Sequence, residues 1–260
     1  MNAPRTMIYG HTGVVGRQLY DWLDLAGVPV GGVSLDREAP IEGAEWVFVC
    51  VPTPTREDGT QDTTALDAVI GGLKGNGLGV VIRSTVLPGT CDDIQDAHPE
   101  WDVYHWPEFL SARSAWMDFR NPAVQVVGGR NHSRWLAEWQ GSLPAPSQGW
   151  KYVRLTEAEV IKYAHNAHGA MQVIFGNLVF DMRMRAKEVV RPHTVHIALR
   201  DMGYISEKTM AAYWHAWLDG KRGYGGACFP KDVAALRRWM GDDGLLLEGM
   251  EAANKRLGLA

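Results

Sequence analysis

Gly10, Gly13 and Gly16 stand between a short apolar run, Met7–Tyr9, and a helix-like segment, Val14–Leu25. Strand, glycine turn and helix in that order constrain the fold more than any other feature of the chain. Glycines let a backbone turn sharply and approach another group closely. The opening turn of a helix presents unpaired N–H groups that favour negative charge. A second apolar run, Val28–Leu35, ends on Asp36. A strand, glycine turn and helix followed by a distal acid can seat a dinucleotide. Gly10, Gly13, Val14, Val15 and Gly16 would face the pyrophosphate, and Asp36 the ribose hydroxyls. The spacing departs from G-x-G-x-x-G by one residue. Arg37 beside Asp36 leaves some room for a 2′-phosphate, but the carboxylate would repel it, so NAD is the expected cofactor.

The alternation of short apolar runs and helix-like segments continues through the first part of the chain, the pattern of a parallel sheet with crossover helices. Trp46–Val51, Val80–Arg83, Val103–His105, Val124–Val127 and Tyr152–Leu155 read as strands. Leu66–Lys74, the segment after Pro88-Gly89-Thr90, and Ser133–Gln140 read as helices. Residues 1–155 are thus expected to form an α/β, Rossmann-like doubly wound parallel sheet. Beyond Leu155 no strand pattern follows, and residues 156–260 are expected to be all-helical. Thr156 supplies an N-cap, and Glu157 and Glu159 an acidic first turn, for a long helix reaching about Lys187. Shorter helices are expected at Arg191–Met202, Ser206–Leu218, Asp232–Met240 and Leu245–Leu257. Trp135 and Trp139, four apart, are expected to pack in the core.

With 46% hydrophobic residues, 260 residues can bury a substantial core. The net charge of −4 gives no basic footprint for nucleic acid. Cys50, Cys91 and Cys228 show neither paired nor metal-type spacing, which fits a reducing cytoplasm and argues for no structural metal. His165 and His168 lack an evident third ligand. No apolar run reaches membrane-spanning length and no signal peptide is evident, so a soluble protein with no membrane partner is expected. The sequon Asn131-His132-Ser133 carries no weight without secretion.

Gly223–Asp232 reads G-Y-G-G-A-C-F-P-K-D and sets Cys228 in a glycine-rich turn ahead of Pro230, Lys231 and Asp232. Lys231 would favour the thiolate, which is the nucleophilic form. If a helix begins at the cysteine, the Cys228 thiol and the Asp232 carboxylate share a face. Lys162 and Asn166 are also four apart, among Ile161, Ala164, Ala167 and Gly169, on a helix too apolar to be wholly solvated. Both are expected to project into a site.

Taken together the blocks resemble the UDP-glucose/GDP-mannose dehydrogenase family. They comprise the dinucleotide turn, V-F-V-C-V-P-T-P-T with D-G-T-Q-D at Asp58–Asp62, and R-S-T-V-L-P-G-T at Arg83–Thr90. P-E-F-L at Pro107–Leu110, the Glu159–Asn166 helix and the cysteine turn complete them. The resemblance implies oxidation of a sugar C6 hydroxyl to a carboxylate by two successive hydride transfers to NAD, through an aldehyde and a cysteine-bound thioester. It implies Cys228 as nucleophile, Thr85, Asn166 and Asp232 around the attacking water, and Glu108 and Lys162 beside the reacting centre. Val51, Pro52, Thr53, Ser84, Thr85 and Lys231 would join the cofactor site. Glu108, Phe109, Leu110, Lys162, Asn166, Tyr224, Gly225 and Gly226 would contact a nucleotide sugar, UDP-glucose being the first choice. The long helix would form a homodimer core.

Two local departures stand out. Ala112 replaces a glutamate expected after P-E-F-L, and Trp214–Arg222 has no clear match to the arginine that reaches a neighbouring subunit. The family's second Rossmann-like domain is expected to be absent, which would make substrate binding weak and poorly selective for the base. Two other readings compete with an active dehydrogenase. One is a non-catalytic dimeric dinucleotide-binding module, the other half of a split dehydrogenase whose nucleotide-binding subunit is a separate chain.

Overall fold

The computed structural model describes residues 3–186, 189–206, 213–214 and 221–258, excluding the side chains of 192 and 193. The chain forms two compact units, Met1–Pro54 with Gln61–Lys162, and Thr55–Thr60 with Tyr163–Ala260.

The first unit is built on an eight-stranded sheet of order β3-β2-β1-β4-β5-β6-β7-β8. Its strands are β1 (Thr6–Tyr9), β2 (Val30–Val33), β3 (Glu38–Ala39), β4 (Trp46–Val49), β5 (Gly79–Ile82), β6 (Asp102–His105), β7 (Gln125–Gly129) and β8 (Trp150–Val153). The helices are α1 (Val14–Leu25), α2 (Thr64–Gly72), α3 (Thr90–Ala97), α4 (Ala115–Arg120) and α5 (His132–Glu138). The fold is the expected α/β sheet with flanking helices, with two differences. The short β3 pairs antiparallel to β2, and β6 pairs antiparallel to β7. Neither β3 nor α4 is evident from periodicity, because two residues and six are too few to establish one.

Alternation along the central strands divides the core. Val47, Val49, Val80, Ile82 and Val103 pack on one face with Leu66 and Ile70 of α2 and Cys91 of α3. Ile8, Phe48, Val81, Tyr104 and Trp106 pack on the other with Leu19 and Leu23 of α1 and Trp135 of α5. The expected burial of Trp135 and Trp139 is borne out: Trp139 stands edge-on to Trp46 and Phe48 at 5.5 and 5.1 Å, the edge-to-face geometry aromatic rings prefer.

The helix α6 (Leu155–Arg185) starts in the first unit and runs on into the second. Its capping differs from expectation. The Glu157 carboxylate accepts the Arg154 N–H at 2.7 Å, while the Thr156 hydroxyl donates to Asp92 at 2.6 Å. The second unit adds α7 (Pro192–Asp201), α8 (Phe229–Met240) and α9 (Leu245–Arg256). Its core gathers Ala170, Tyr224, Val233, Leu247 and Met250. The helix expected at Ser206–Leu218 lies largely outside the described residues. Trp214 is described: its indole N–H donates to Gln172 of α6 at 2.8 Å. Arg222 is bound to the same helix, to Asn177 Oδ1 at 3.0 Å and Asp181 Oδ1 at 2.7 Å. No helix among the described residues is long and apolar enough to cross a membrane.

Candidate active site

In the first unit the loops after β1, β4 and β5 leave the carboxyl edge of the sheet, where strand order reverses between β1 and β4. Ligands of open α/β sheets bind at such a reversal. Gly10 has φ +82°, and a Cβ there would stand 2.5 Å from the Cys50 carbonyl oxygen. A Cβ on Gly16 would stand 2.2 Å from the Gly10 carbonyl oxygen. Only glycine permits this closeness. Gly13 caps α1 with no side-chain acceptor, and the first turn of α1, from Val14 and Val15, holds no acidic residue. The first N–H groups of that turn therefore favour an incoming phosphate.

Asp36 is exposed just beyond β2 and accepts the Thr12 hydroxyl at 2.7 Å. That hydrogen bond, with lesser help from His11 and Arg37, holds its carboxyl below the ordinary range. The loops after β4 and β5 are tied together. Thr53 Oγ1 donates to the Thr85 carbonyl at 2.6 Å and Ser84 Oγ to the Val51 carbonyl at 2.6 Å. Gln61 Nε2 reaches the same Thr85 carbonyl at 3.0 Å. Pro52 is exposed between Val51 and Thr53. These residues fit a dinucleotide: they leave a glycine-lined turn beside an open helix terminus and present a fixed acid.

The same unit brings Glu108 and Lys162 together. Lys162 Nζ donates to Glu108 Oε1 at 2.9 Å and to the Glu108 carbonyl at 2.6 Å, and both side chains are buried. The other carboxylate oxygen accepts the Leu110 N–H at 2.7 Å, and the Phe109 ring centroid lies 5.6 Å from the ammonium. Burial pushes Glu108 up, but the Lys162 charge, the Leu110 N–H and Arg83 together bring it below the usual carboxylate range. Burial drives His105 down to about 3, so that imidazole is neutral.

In the second unit Cys228 is the N-cap of α8, which begins at Phe229, a turn before the Asp232 start that was expected. The Asp232 N–H bonds the Cys228 carbonyl at 3.0 Å. Asp232 is buried and accepts Asn166 Nδ2 at 2.7 Å, while its other oxygen takes Lys231 Nζ. Lys231, expected to act on the thiol, bonds the adjacent Asp232 carboxylate. Gly169 of α6 makes room for Phe229, whose ring would lie 2.6 Å from a Cβ there. Thr55 Oγ1 donates to the Lys231 carbonyl at 2.7 Å, so the Thr55–Thr60 segment of the same unit holds this helix start. Gly225 and Gly226 are exposed, but Tyr224 is buried in the helical core and clasped by Asn254.

The three cysteines differ sharply. Burial pushes Cys50 up to about 12 and Cys91 well above the ordinary thiol range, while Cys228 is exposed. Among the described residues no group of three or more His, Cys, Asp or Glu is placed to hold a metal ion.

The partners of Glu159 and Arg83 were not legible in the sequence, where one reads as a first-turn acid and the other as the head of a motif. Glu159 accepts the N–H groups of Gly89 and Cys91 at 2.6 and 2.7 Å, anchoring the start of α3 and the Thr85 loop. Arg83 is buried with its guanidinium carbon 3.7 Å above the Trp106 ring. A carboxylate or guanidinium inside an otherwise apolar stretch was the available signal, since such groups are retained where something pairs them.

The NAD binding domain of the UDP-glucose/GDP-mannose dehydrogenase family matches residues 31–139 and its central domain matches residues 156–256. The UDP-glucose 6-dehydrogenase of Rickettsia felis is 31% identical over 206 residues, 75% of this chain and 44% of that protein. The Pseudomonas aeruginosa UDP-glucose 6-dehydrogenase is 33% identical over 233 residues, covering 82% of this chain and 49% of its own length. The chain thus spans about half the length of the curated relatives it matches. In fold it resembles a UDP-glucose dehydrogenase from Pyrobaculum islandicum, with TM-score 0.81 at 23% identity, over 98% of this chain and 68% of that one. The first unit therefore carries the family's NAD-binding domain and α6 to α9 its central domain, and the chain belongs to the UDP-glucose/GDP-mannose dehydrogenase family.

Proposed function

We propose that this chain carries the chemistry of an NAD-dependent nucleotide-sugar 6-dehydrogenase, with UDP-glucose as substrate, and that Cys228 is its covalent catalyst. The observation that carries the reading is the contrast among the cysteines. Cys91 is buried and Cys50 half-buried, both held as thiols, and the third is exposed at a helix start beside a bound Asn166–Asp232 pair. Bound NAD supplies the hydride acceptor. In this reading an aldehyde cannot lose hydride until it becomes tetrahedral, and the Cys228 sulfur makes it so by bonding to the carbonyl carbon. Lys162 is assigned the oxygen that takes up the charge, with Glu108 keeping the ammonium in place. After the second oxidation the carbon is a thioester. Asp232, oriented by Asn166, holds the water whose oxygen bonds that carbon as the C–S bond breaks and the thiol regains its proton.

A panel of UDP- and GDP-sugars with NAD, scored by NADH release and product mass, tests this. UDP-glucose should give the uronic acid with two NADH per acid formed. Absence of NADH with every sugar nucleotide would overturn the assignment.

The reading includes a homodimer formed through α6. Phe175, Leu178 and Met182 recur at helical spacing and are 45, 51 and 62% exposed, an apolar stripe along one face of the helix. Gly169 and Ala170 are already used within the unit, against Phe229 and in the core, so the stripe rather than the small residues would meet a partner. Sedimentation should show a dimer at micromolar concentration, and a monomer there would remove this part of the reading.

A further inference from the structure

The turn after β1 holds two residues, His11 and Thr12, between Gly10 and Gly13, one more than G-x-G-x-x-G allows. Both are bonded to the far end of β2. His11 Nδ1 lies 3.0 Å from Ser34 Oγ, and the Thr12 N–H donates to the same oxygen at 3.2 Å. The Thr12 hydroxyl then reaches two residues further, to Asp36 Oδ1. The longer turn therefore stitches the glycine loop to the loop that carries the acid.

We propose that Thr12 is a positioning residue for cofactor choice, its hydroxyl fixing the Asp36 carboxylate so that NAD is selected over NADP. The proposal rests on the reading of Asp36 as the ribose ligand. Asp36 is exposed, and an exposed aspartate on a loop ordinarily samples several rotamers. Discrimination requires the carboxylate to occupy one place, where it accepts from the ribose hydroxyls and repels a 2′-phosphate. Arg37 follows directly and supplies the charge a 2′-phosphate would seek once the carboxylate swings away. One hydroxyl hydrogen bond to a carboxylate thus decides which of two adjacent, opposite charges meets the ribose. The depressed carboxyl of Asp36, set first by Thr12, agrees with a hydrogen bond made to the charged form.

The test is calorimetric titration of the full chain with NAD and with NADP, without any sugar nucleotide. Thr12→Val removes the hydroxyl at nearly constant shape and should lower the NAD-to-NADP affinity ratio roughly 10-fold, the lower end of the range for a hydrogen bond to a charged group, because this pair is exposed. Thr12→Ser should keep the native ratio. If Asp36→Ala collapses the ratio while Thr12→Val leaves it intact, Thr12 has no such role although Asp36 stands. A ratio lost equally in Thr12→Ser and Thr12→Val would also overturn the proposal, because the hydroxyl would not be responsible. If Asp36→Ala leaves the native ratio unchanged, the ribose assignment fails and takes this proposal with it. Thr12→Ala, read in the same way, replaces Thr12→Val should that variant melt early.

Discussion

Cys228→Ser is expected to slow acid formation on the order of 10³-fold or more, the scale on which loss of a covalent nucleophile acts. A serine hydroxyl at the start of α8 stays protonated at neutral pH and adds poorly to an aldehyde, so oxidation should stall after the first hydride transfer. Mass analysis of the quenched reaction should then find aldehyde instead of acid. The native protein should also be alkylated by iodoacetamide at Cys228 first, since Cys228 is exposed while Cys50 and Cys91 are thiols pushed far from thiolate. Wild-type acid formation by Cys228→Ser would remove the thioester route.

The second large effect concerns the buried pair of Lys162 and Glu108, whose side chains are 3 and 10% exposed. Lys162→Ala leaves the carboxylate buried without its cation, which should cost about 3–5 kcal/mol at neutral pH. The pH dependence separates charge from packing. In the native protein Glu108 sits below its ordinary value, so its stabilisation is present above that value and is lost as pH falls through the lower folded one. Without Lys162 burial dominates and raises Glu108, a penalty that vanishes once the carboxyl is protonated in both states. Both changes act in one direction. The stability gap between native and variant should be widest near neutrality and shrink in acid. Urea denaturation at several pH values measures it, and a gap independent of pH would assign Lys162 a packing role alone. Lys162→Met, which keeps the apolar stem, should show the same pH trend.

Much of the first unit was legible because its signals are local. A strand, a glycine turn, a helix and a distal acid occupy one short stretch, and the continuous apolar runs of β4 and β5 match their complete burial. The turn that ends on Cys228 was legible for the same reason, with its glycines, proline and aspartate as immediate neighbours. What escaped were the long-range pairings. Glu159 lies 70 residues from Gly89, Asn166 lies 66 from Asp232, and Lys162 lies 54 from Glu108. Nothing in local spacing says which carboxylate meets which donor.

The sequence by itself determined the order of elements, the glycine turn with its acid, and the cysteine turn, because backbone conformation and periodicity are written in near neighbours. Only the tertiary structure decided where the charges went. Lys231 had two candidates, the thiol that the sequence suggested and the adjacent carboxylate, and it bonds Asp232, which packing has buried beside Asn166. Nothing in the spacing of the glycine turn marks Thr12, and it is the fold that brings Asp36 alongside it. A buried charge takes the partner that desolvation and geometry leave within reach, and that partner is fixed by how distant segments pack.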